Sequence, residues 1–335
     1  MSATPEVEPS HIGQFVRRIA RLSFALCGYG IDVIGNLACR LLGRKRKGTC
    51  VVLYYHSVPL RYRARFESQM NALAAHCTVV DLNMIGNLQD GEHFVAVTFD
   101  DGLDSFVRNA VPVLSELKIP ATVFVVANAL GKRPVWGEGY FTADERVMSE
   151  DDLNALPPEI TIGSHTLTHA DLISTDPERA SREVTESRRV LESMLHRRVS
   201  LFSFPFGNFN ADVLQYCHEA GYDRVFTTEP ETIAGDSSAF VLGRVAADPW
   251  DWTLEFLLKI LGAYRWTILL RGIGEFFCPY QPPSSLRNGL INADVDAPPH
   301  QTAGCARNRR STKKSRGAES SAQQGSVSSN RHSSD

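Results

Sequence analysis

Between about residue 49 and residue 270 the chain alternates short apolar runs with longer segments of helical character. Residues 50–55, 94–99, 121–126, 160–162, 201–204, 224–228 and 240–242 are β-branched or aromatic and bounded by turn formers, which predicts buried parallel strands. Helices are predicted over residues 105–117, over Pro177–Leu195 behind Asp176, and over Ala211–Ala220. Proline at the first helical position starts the second, and Gly221 suits the C-cap of the third. Repeated strand–helix units of this length predict an α/β protein, its parallel sheet covered by helices and either open or closed into a barrel. No internal repeat is visible.

The two ends read differently. Residues 15–47 carry Arg17, Arg18 and Arg21, then a mostly apolar stretch interrupted by Asp32 and Arg40, then Arg44-Lys45-Arg46-Lys47. A cleavable signal peptide would show a short unbroken apolar core and a small-residue cleavage site, and neither is clear. Two charges and three glycines make it a poor spanning helix. An amphipathic interfacial helix or helix pair fits, with Phe15, Ile19, Leu22, Leu26, Ile34, Leu37 and Leu41 on its apolar face and peripheral membrane contact through residues 15–47. A helix packed on the core fits the periodicity equally. This reading places the chain in the cytoplasm or peripherally on the inner membrane. From about Gln281 the composition turns to Pro, Ser, Gly, Asn and Arg, which predicts a disordered basic and serine-rich tail over residues 281–335. The expected organisation is therefore a basic helical segment (1–48), a globular α/β domain (49–270) and this tail.

With 335 residues, 43% of them hydrophobic, the chain can bury one large core or two ordinary ones. A net charge of −3 gives no reason to expect nucleic acid as partner. The seven cysteines are dispersed and form no Cys-x-x-Cys pair, so reduced thiols are expected rather than a disulfide framework.

The candidate chemistry sits at the strand ends. Thr98-Phe99-Asp100-Asp101-Gly102 puts two carboxylates where an apolar run meets a glycine, and Ser164-His165-Thr166-Leu167-Thr168-His169 puts two imidazoles four positions apart. Together these could hold one divalent ion and activate water beside it. Pro205-Phe206-Gly207 follows a third strand, and in a barrel all three motifs would gather at the carboxyl edge of the sheet.

These motifs, in this order, resemble the first three motifs of the polysaccharide deacetylases, carbohydrate esterase family 4 with its NodB-homology domain, over about residues 49–270. The resemblance implies a distorted (β/α) barrel. It implies Asp100 as general base, Asp101, His165 and His169 as ligands of one divalent ion, zinc or else cobalt or nickel, and Pro205, Phe206 and Gly207 as a wall of the substrate groove. Thr166 and Thr168 would orient the imidazoles or merely cap a backbone turn. The Leu-x-His motif that usually supplies the acid is missing, because no histidine lies between Trp252 and His300. Leu53-Tyr54-Tyr55-His56 resembles the start of the circularly permuted members that de-N-acetylate poly-N-acetylglucosamine, which implies His56 as the acid. Many members have an arginine before the third motif, where this chain has Ser203. Arg244 could reach the base from a neighbouring strand end, or form a surface salt bridge. Asp248-Pro249-Trp250-Asp251-Trp252 matches the spacing of the fourth motif, with Asp248 a candidate to tune the acid and the two tryptophans either groove aromatics or packing. An aromatic lid from residues 127–149, with Trp136 and Tyr140, is possible. The implied activity is removal of N-acetyl groups from an N-acetylhexosamine-containing glycan, the acetylated glycan being the partner. An O-acetyl polysaccharide esterase or a catalytically silent carbohydrate-binding barrel would share the motifs.

Overall fold

The structure, a computed structural model, describes residues 11–44, 46–136, 144–235 and 238–273. The tail expected over 281–335, with His300, lies outside the described residues, as do Lys45, Tyr140, Cys278 and Cys305. The five described cysteines form no disulfide; Cys50 and Cys217 are buried and Cys27 is exposed.

The strands are β1 (Thr49–Tyr55), β2 (Thr78–Val79), β3 (His93–Phe99), β4 (Ala121–Val125), β5 (Ile160–Ser164), β6 (Leu201–Ser203), β7 (Arg224–Phe226), β8 (Ile233–Ala234), β9 (Val241–Leu242) and β10 (Val245–Ala246). The helices are α1 (His11–Leu41), α2 (Arg63–His76), α3 (Val111–Glu116), α4 (Glu150–Asn154), α5 (Pro177–Leu195), α6 (Ala211–Ala220) and α7 (Thr253–Ile260). Strands run in the order β10-β1-β3-β4-β5-β6-β7-β9, every neighbouring pair parallel. The two edges are consecutive in the chain. β9 pairs with β7 through Val225 and Phe226, β10 pairs with β1 through Leu53 and Tyr54, and only Gly243 and Arg244 lie between them. The sheet is thus a nearly closed barrel whose seam is bridged by two residues, and Arg244 is one of them.

Alternation along each strand separates two layers. Val51, Leu53, Val95, Val97, Val123, Val125 and Phe202 face outward into the cluster that the helices cover. Cys50, Val52, Phe94, Ala96, Phe124 and Leu201 face inward with Phe226 and Leu242. Leu82, Ile85 and Ile233 join this inner cluster at the amino end of the barrel. Both faces are buried, which is why the strands read as apolar runs. Towards the carboxyl end the inner layer turns polar, with Thr98, Asp100, Ser203 and Arg244, all buried.

One element departs from the sequence reading, and a second settles alternatives that it left open. The helix expected over 105–117 is a π turn, Phe106–Ala110, running into α3. Pro112 has no N–H, and its ring would clash with the carbonyl of Arg108 in a regular helix, so the wider turn accommodates it. Residues 15–41 lie in one helix, α1, rather than a pair, and α1 packs on the domain, the alternative that the periodicity had left open. Ala25 is fully buried, and a Cβ at Gly28 would lie 2.3 Å from the Trp266 ring. Asp32, which looked like an interruption, accepts hydrogen bonds from Arg265 and from Trp266 Nε1 (3.1 Å). Leu22 packs against the core, while Phe15, Ile19, Leu26, Ile34, Leu37 and Leu41 are exposed.

Candidate active site

Because the strands are parallel, Asp100 and Asp101 after β3, His165 after β5, Phe204 to Gly207 after β6 and His56 after β1 all leave the same edge. The edge is built from unusual backbone. Asp101 (φ 68°), Thr166 (φ 67°), His169 (φ 61°) and Phe206 (φ 61°) are four of the six non-glycine residues with positive φ among the described residues. Such conformations cost about 1–3 kcal/mol each, and they concentrate where side chains must be aimed rather than merely packed. Gly207 (φ 74°) cannot carry a side chain, since a Cβ would lie 2.1 Å from Thr228 Oγ1.

Asp101, His165 and His169 are buried, and one ligand atom from each lies within 4.8 Å of the others. Asp101 Oδ1 stands 3.2 Å from His169 Nε2 and 3.7 Å from His165 Nε2. His165 Nδ1 donates to the Ser203 carbonyl (2.8 Å), which fixes the tautomer and leaves the Nε2 lone pair towards Asp101. Burial pushes the His165 pKa down to about 4, against the opposing pull of Asp100, so the ring is neutral at neutral pH. For Asp101 burial acts upward, but the hydrogen bond from His169 and the charges of His56, His169 and His165 outweigh it and lower its pKa. One carboxylate and two imidazoles, converging and buried, suit a divalent ion with coordination positions left open.

His169 is held differently from His165. Trp136 stacks on it (centroids 4.5 Å apart, 7° between planes) and donates from Nε1 to Asp101 Oδ1 (3.0 Å), while Phe206 meets the ring edge-on at 4.9 Å. Its Nδ1 is buried with no hydrogen-bond partner in the structure, so stacking orients this ring. Trp136 therefore covers the ligand set itself. Phe206 is 43% exposed, and Pro205 is buried beneath it.

Asp100 faces a different partner. Arg244 Nη1 and Nη2 donate to its two oxygens at 2.8 Å each, a bidentate pair. Arg244 is fully buried and its other donors are used, Nε to the Thr227 carbonyl (3.1 Å), Nη1 to Thr98 Oγ1 (3.1 Å) and Nη2 to Ser203 Oγ (2.7 Å). Its guanidinium also lies over the Tyr54 and Phe124 rings. The surface salt bridge is thereby excluded. Burial acts to raise the Asp100 pKa, but the Arg244 charge, then His165 and the Arg244 hydrogen bonds, hold it at about 2.

His56 is half-buried, and its charge lowers the pKa of Asp100, Asp101 and Asp248, which puts it within electrostatic reach of all three. Asp248 is raised overall by burial, against Lys259 and His56. Trp250 packs against Tyr62 (5.4 Å), and Trp252 lies under Arg18 (4.3 Å) and beside Phe15 (6.0 Å), so both tryptophans serve packing on the α1 side. One buried carboxylate escaped the sequence reading. Glu183 accepts from the backbone N–H of Leu167 (3.0 Å) and Thr168 (2.8 Å) and from Thr168 Oγ1 (2.6 Å), tying the loop between the two histidines to α5. Thr166 Oγ1 accepts from the His169 N–H (2.9 Å), so both threonines shape the loop. The available signal was the position of Glu183 among Ala180, Val184, Ser187 and Leu191, a carboxylate in the buried stripe of its helix.

Comparison with known proteins agrees with this geometry. A family profile described as Polysaccharide deacetylase matches residues 87–225. A Bacillus subtilis protein whose name assigns it to the polysaccharide deacetylases is 27% identical over 210 residues, covering 59% of this chain and 71% of its own. The poly-beta-1,6-N-acetyl-D-glucosamine N-deacetylase of Staphylococcus aureus is 23% identical over 175 residues, 49% of this chain and 57% of its own, so the chain spans little more than half of that relative. Among solved structures, IcaB from Ammonifex degensii superposes with a TM-score of 0.54 at 23% identity, covering 64% of this chain and 97% of that one, which shows a shared fold. A barrel sealed at Arg244, an aspartate–histidine–histidine set at its carboxyl edge and a family profile that matches residues 87–225 make the chain similar to the polysaccharide deacetylases.

Proposed function

We propose that the chain is a metal-dependent hydrolase that removes N-acetyl groups from an N-acetylhexosamine-containing glycan, with zinc as the ion. The observation that carries this reading is the pairing of two adjacent carboxylates with different jobs, Asp100 locked to Arg244 and Asp101 turned to the two imidazoles. Asp101, His165 and His169 would hold the ion, which supplies Lewis acidity to the acyl oxygen and to water. Asp100, kept ionised by Arg244, accepts the proton of the attacking water as its oxygen bonds to the acyl carbon. When the C–N bond breaks, the amine must leave protonated, and we assign that proton to His56, which lies within electrostatic reach of Asp100 and Asp101. Phe206, beside His169 and partly exposed, offers an apolar face to a sugar ring. The substrate class draws support from the S. aureus relative, whose name gives its glycan as poly-beta-1,6-N-acetyl-D-glucosamine.

Acetate release from poly-N-acetylglucosamine and from chitooligosaccharide tests the reading. The wild-type chain should release acetate, a chelator should abolish release and zinc restore it. Asp100→Asn should lower turnover by at least about a hundredfold while zinc still binds. His56→Ala should behave likewise. Chelator-insensitive release, or near-normal turnover of Asp100→Asn, would refute the assignment.

A further inference from the structure

We propose that α1, together with the start of α7, forms a docking face for an anionic lipid surface, with the helix lying on the membrane rather than crossing it. The inference goes beyond the catalytic reading and does not depend on it. Exposed apolar residues recur along α1 at intervals of four and seven positions: Phe15, Ile19, Leu26, Val33, Leu37 and Leu41. That spacing places them on one helical face. Ile34 and Leu41 are 71% and 79% exposed, far more than a monomer gains from leaving apolar side chains in water. The stripe does not stop at the helix. Phe15 meets Trp252 at 6.0 Å, and Leu254, the next exposed apolar residue of that turn, extends the face onto α7.

Charge selects the occupant. Between residues 11 and 66 the only carboxylate is Asp32, and it is turned inward to Arg265 and Trp266. Basic residues flank the stripe at both ends, Arg17 and Arg21 on one side and the exposed Arg40, Arg44, Arg46 and Lys47 on the other. A second copy docked here would set cations against cations whether the helices ran parallel or antiparallel. Asp90 and Glu92 approach only beyond the helix, where the Gly91 N–H donates to the Arg46 carbonyl (2.8 Å), so along α1 itself the apolar stripe is flanked by cations and matches acyl chains below anionic headgroups.

The opposite face of α1 settles how the helix lies. From Phe15 to Leu41 it is long and apolar enough to span a bilayer. Spanning would strip away Arg18–Glu255 (2.7 Å), the contacts of Asp32 and the close fit of Gly28 on Trp266. An interfacial helix keeps all of them and buries only the free stripe. Docking also bears on the catalytic edge, because Arg18 donates to the Trp250 carbonyl (3.2 Å) in the turn that begins at Asp248.

Cosedimentation of the full chain with vesicles tests this. Binding to phosphatidylcholine vesicles containing phosphatidylglycerol should exceed binding to phosphatidylcholine alone. Leu37→Glu with Leu41→Glu should weaken it by at least about tenfold. Arg44→Glu with Arg46→Glu should remove the preference for the anionic lipid. Both double variants should keep the wild-type melting temperature, since none of the four side chains is buried. The proposal fails if the wild-type chain stays in the supernatant with either vesicle, or if both variants bind like wild type. It fails equally if lipid-free protein is a dimer that the leucine substitutions dissociate without any vesicle binding, which would give the face to a second copy.

Discussion

The residue on which the catalytic edge turns is Arg244, since among the described residues it is the cation that forms a salt bridge with Asp100 inside the barrel. A buried ion pair is weak evidence for stability when intact, but breaking one half leaves a charge without compensation. Arg244→Met should therefore cost about 3–5 kcal/mol of unfolding free energy in urea titrations. Adding Asp100→Asn in the same background removes the stranded charge and should recover part of the loss. A coupling energy above about 1 kcal/mol between the two substitutions is expected, and additive losses would show that the two groups do not act as a pair. The single variant should also lose the influence that holds Asp100 at about 2, leaving burial to raise it, so that the acid loss of turnover moves to higher pH. How Arg244 reaches this position was only half legible in the chain. Its type and its place after the strand read at 240–242 were visible, but the seam was not, because the two-residue strand Val245–Ala246 that closes it carries no periodicity of its own. Asp100, Asp101, His165 and His169 were readable because each follows a strong apolar run into a turn, whereas Glu183 was hidden inside the amphipathic pattern of α5.

At the scale of elements, α1 and α7 share a charge cluster that links the N-terminal helix to the turn holding Asp248. Three carboxylates, Asp248, Asp251 and Glu255, face two cations, Lys259 and Arg18, with Tyr264 hydrogen-bonded to Glu255 and His56 acting on Asp248. Burial raises the Asp251 carboxyl from 3.8 to about 6, even though Lys259 lies 2.6 Å away. Because the folded-state value is raised, the stabilisation from this proton is complete below about pH 4 and is lost as pH rises through about 6. The loss amounts to about 3 kcal/mol over that window. Arg18→Gln leaves three carboxylates with one cation, so the cluster should hold its proton to higher pH. Urea titrations across a pH series should then show unfolding free energy falling more steeply than wild type above about pH 6; parallel curves would mean that Arg18 does not belong to the cluster. The seven strands from β1 to β9 that carry apolar runs, with the helices α5 and α6, were legible in the sequence because their patterning is local, whereas the two-residue strands β2, β8 and β10 were not. The packed face of α1 was not, since Arg18 and Asp32 find partners more than two hundred residues away, and a charge in an apolar stretch reads as an interruption until that partner is known.

Across the whole molecule, the long-range contacts of α1 change what the N-terminal segment is. A leader or flexible tether could be removed without consequence for the barrel, whereas a helix that supplies core residues could not. Ala25 is fully buried, Leu22 and Tyr29 pack against the main core, and Arg18 and Asp32 satisfy Glu255, Arg265 and Trp266. Deleting residues 1–47 would uncover the apolar side of α7 and of the 263–273 segment and leave Glu255 and Arg265 short of a counter-ion. Each stranded partly buried charge costs a few kcal/mol, and the uncovered apolar area adds to it, so the truncated chain should unfold with at least about 4 kcal/mol less free energy. Its urea m-value should change as well, because less surface is buried in the folded state. A truncated chain with the wild-type urea midpoint and m-value would show that α1 is a dispensable appendage. For that reason the membrane face is better probed by substitutions on the exposed stripe, which leave the packed face intact, than by removing the helix that carries both.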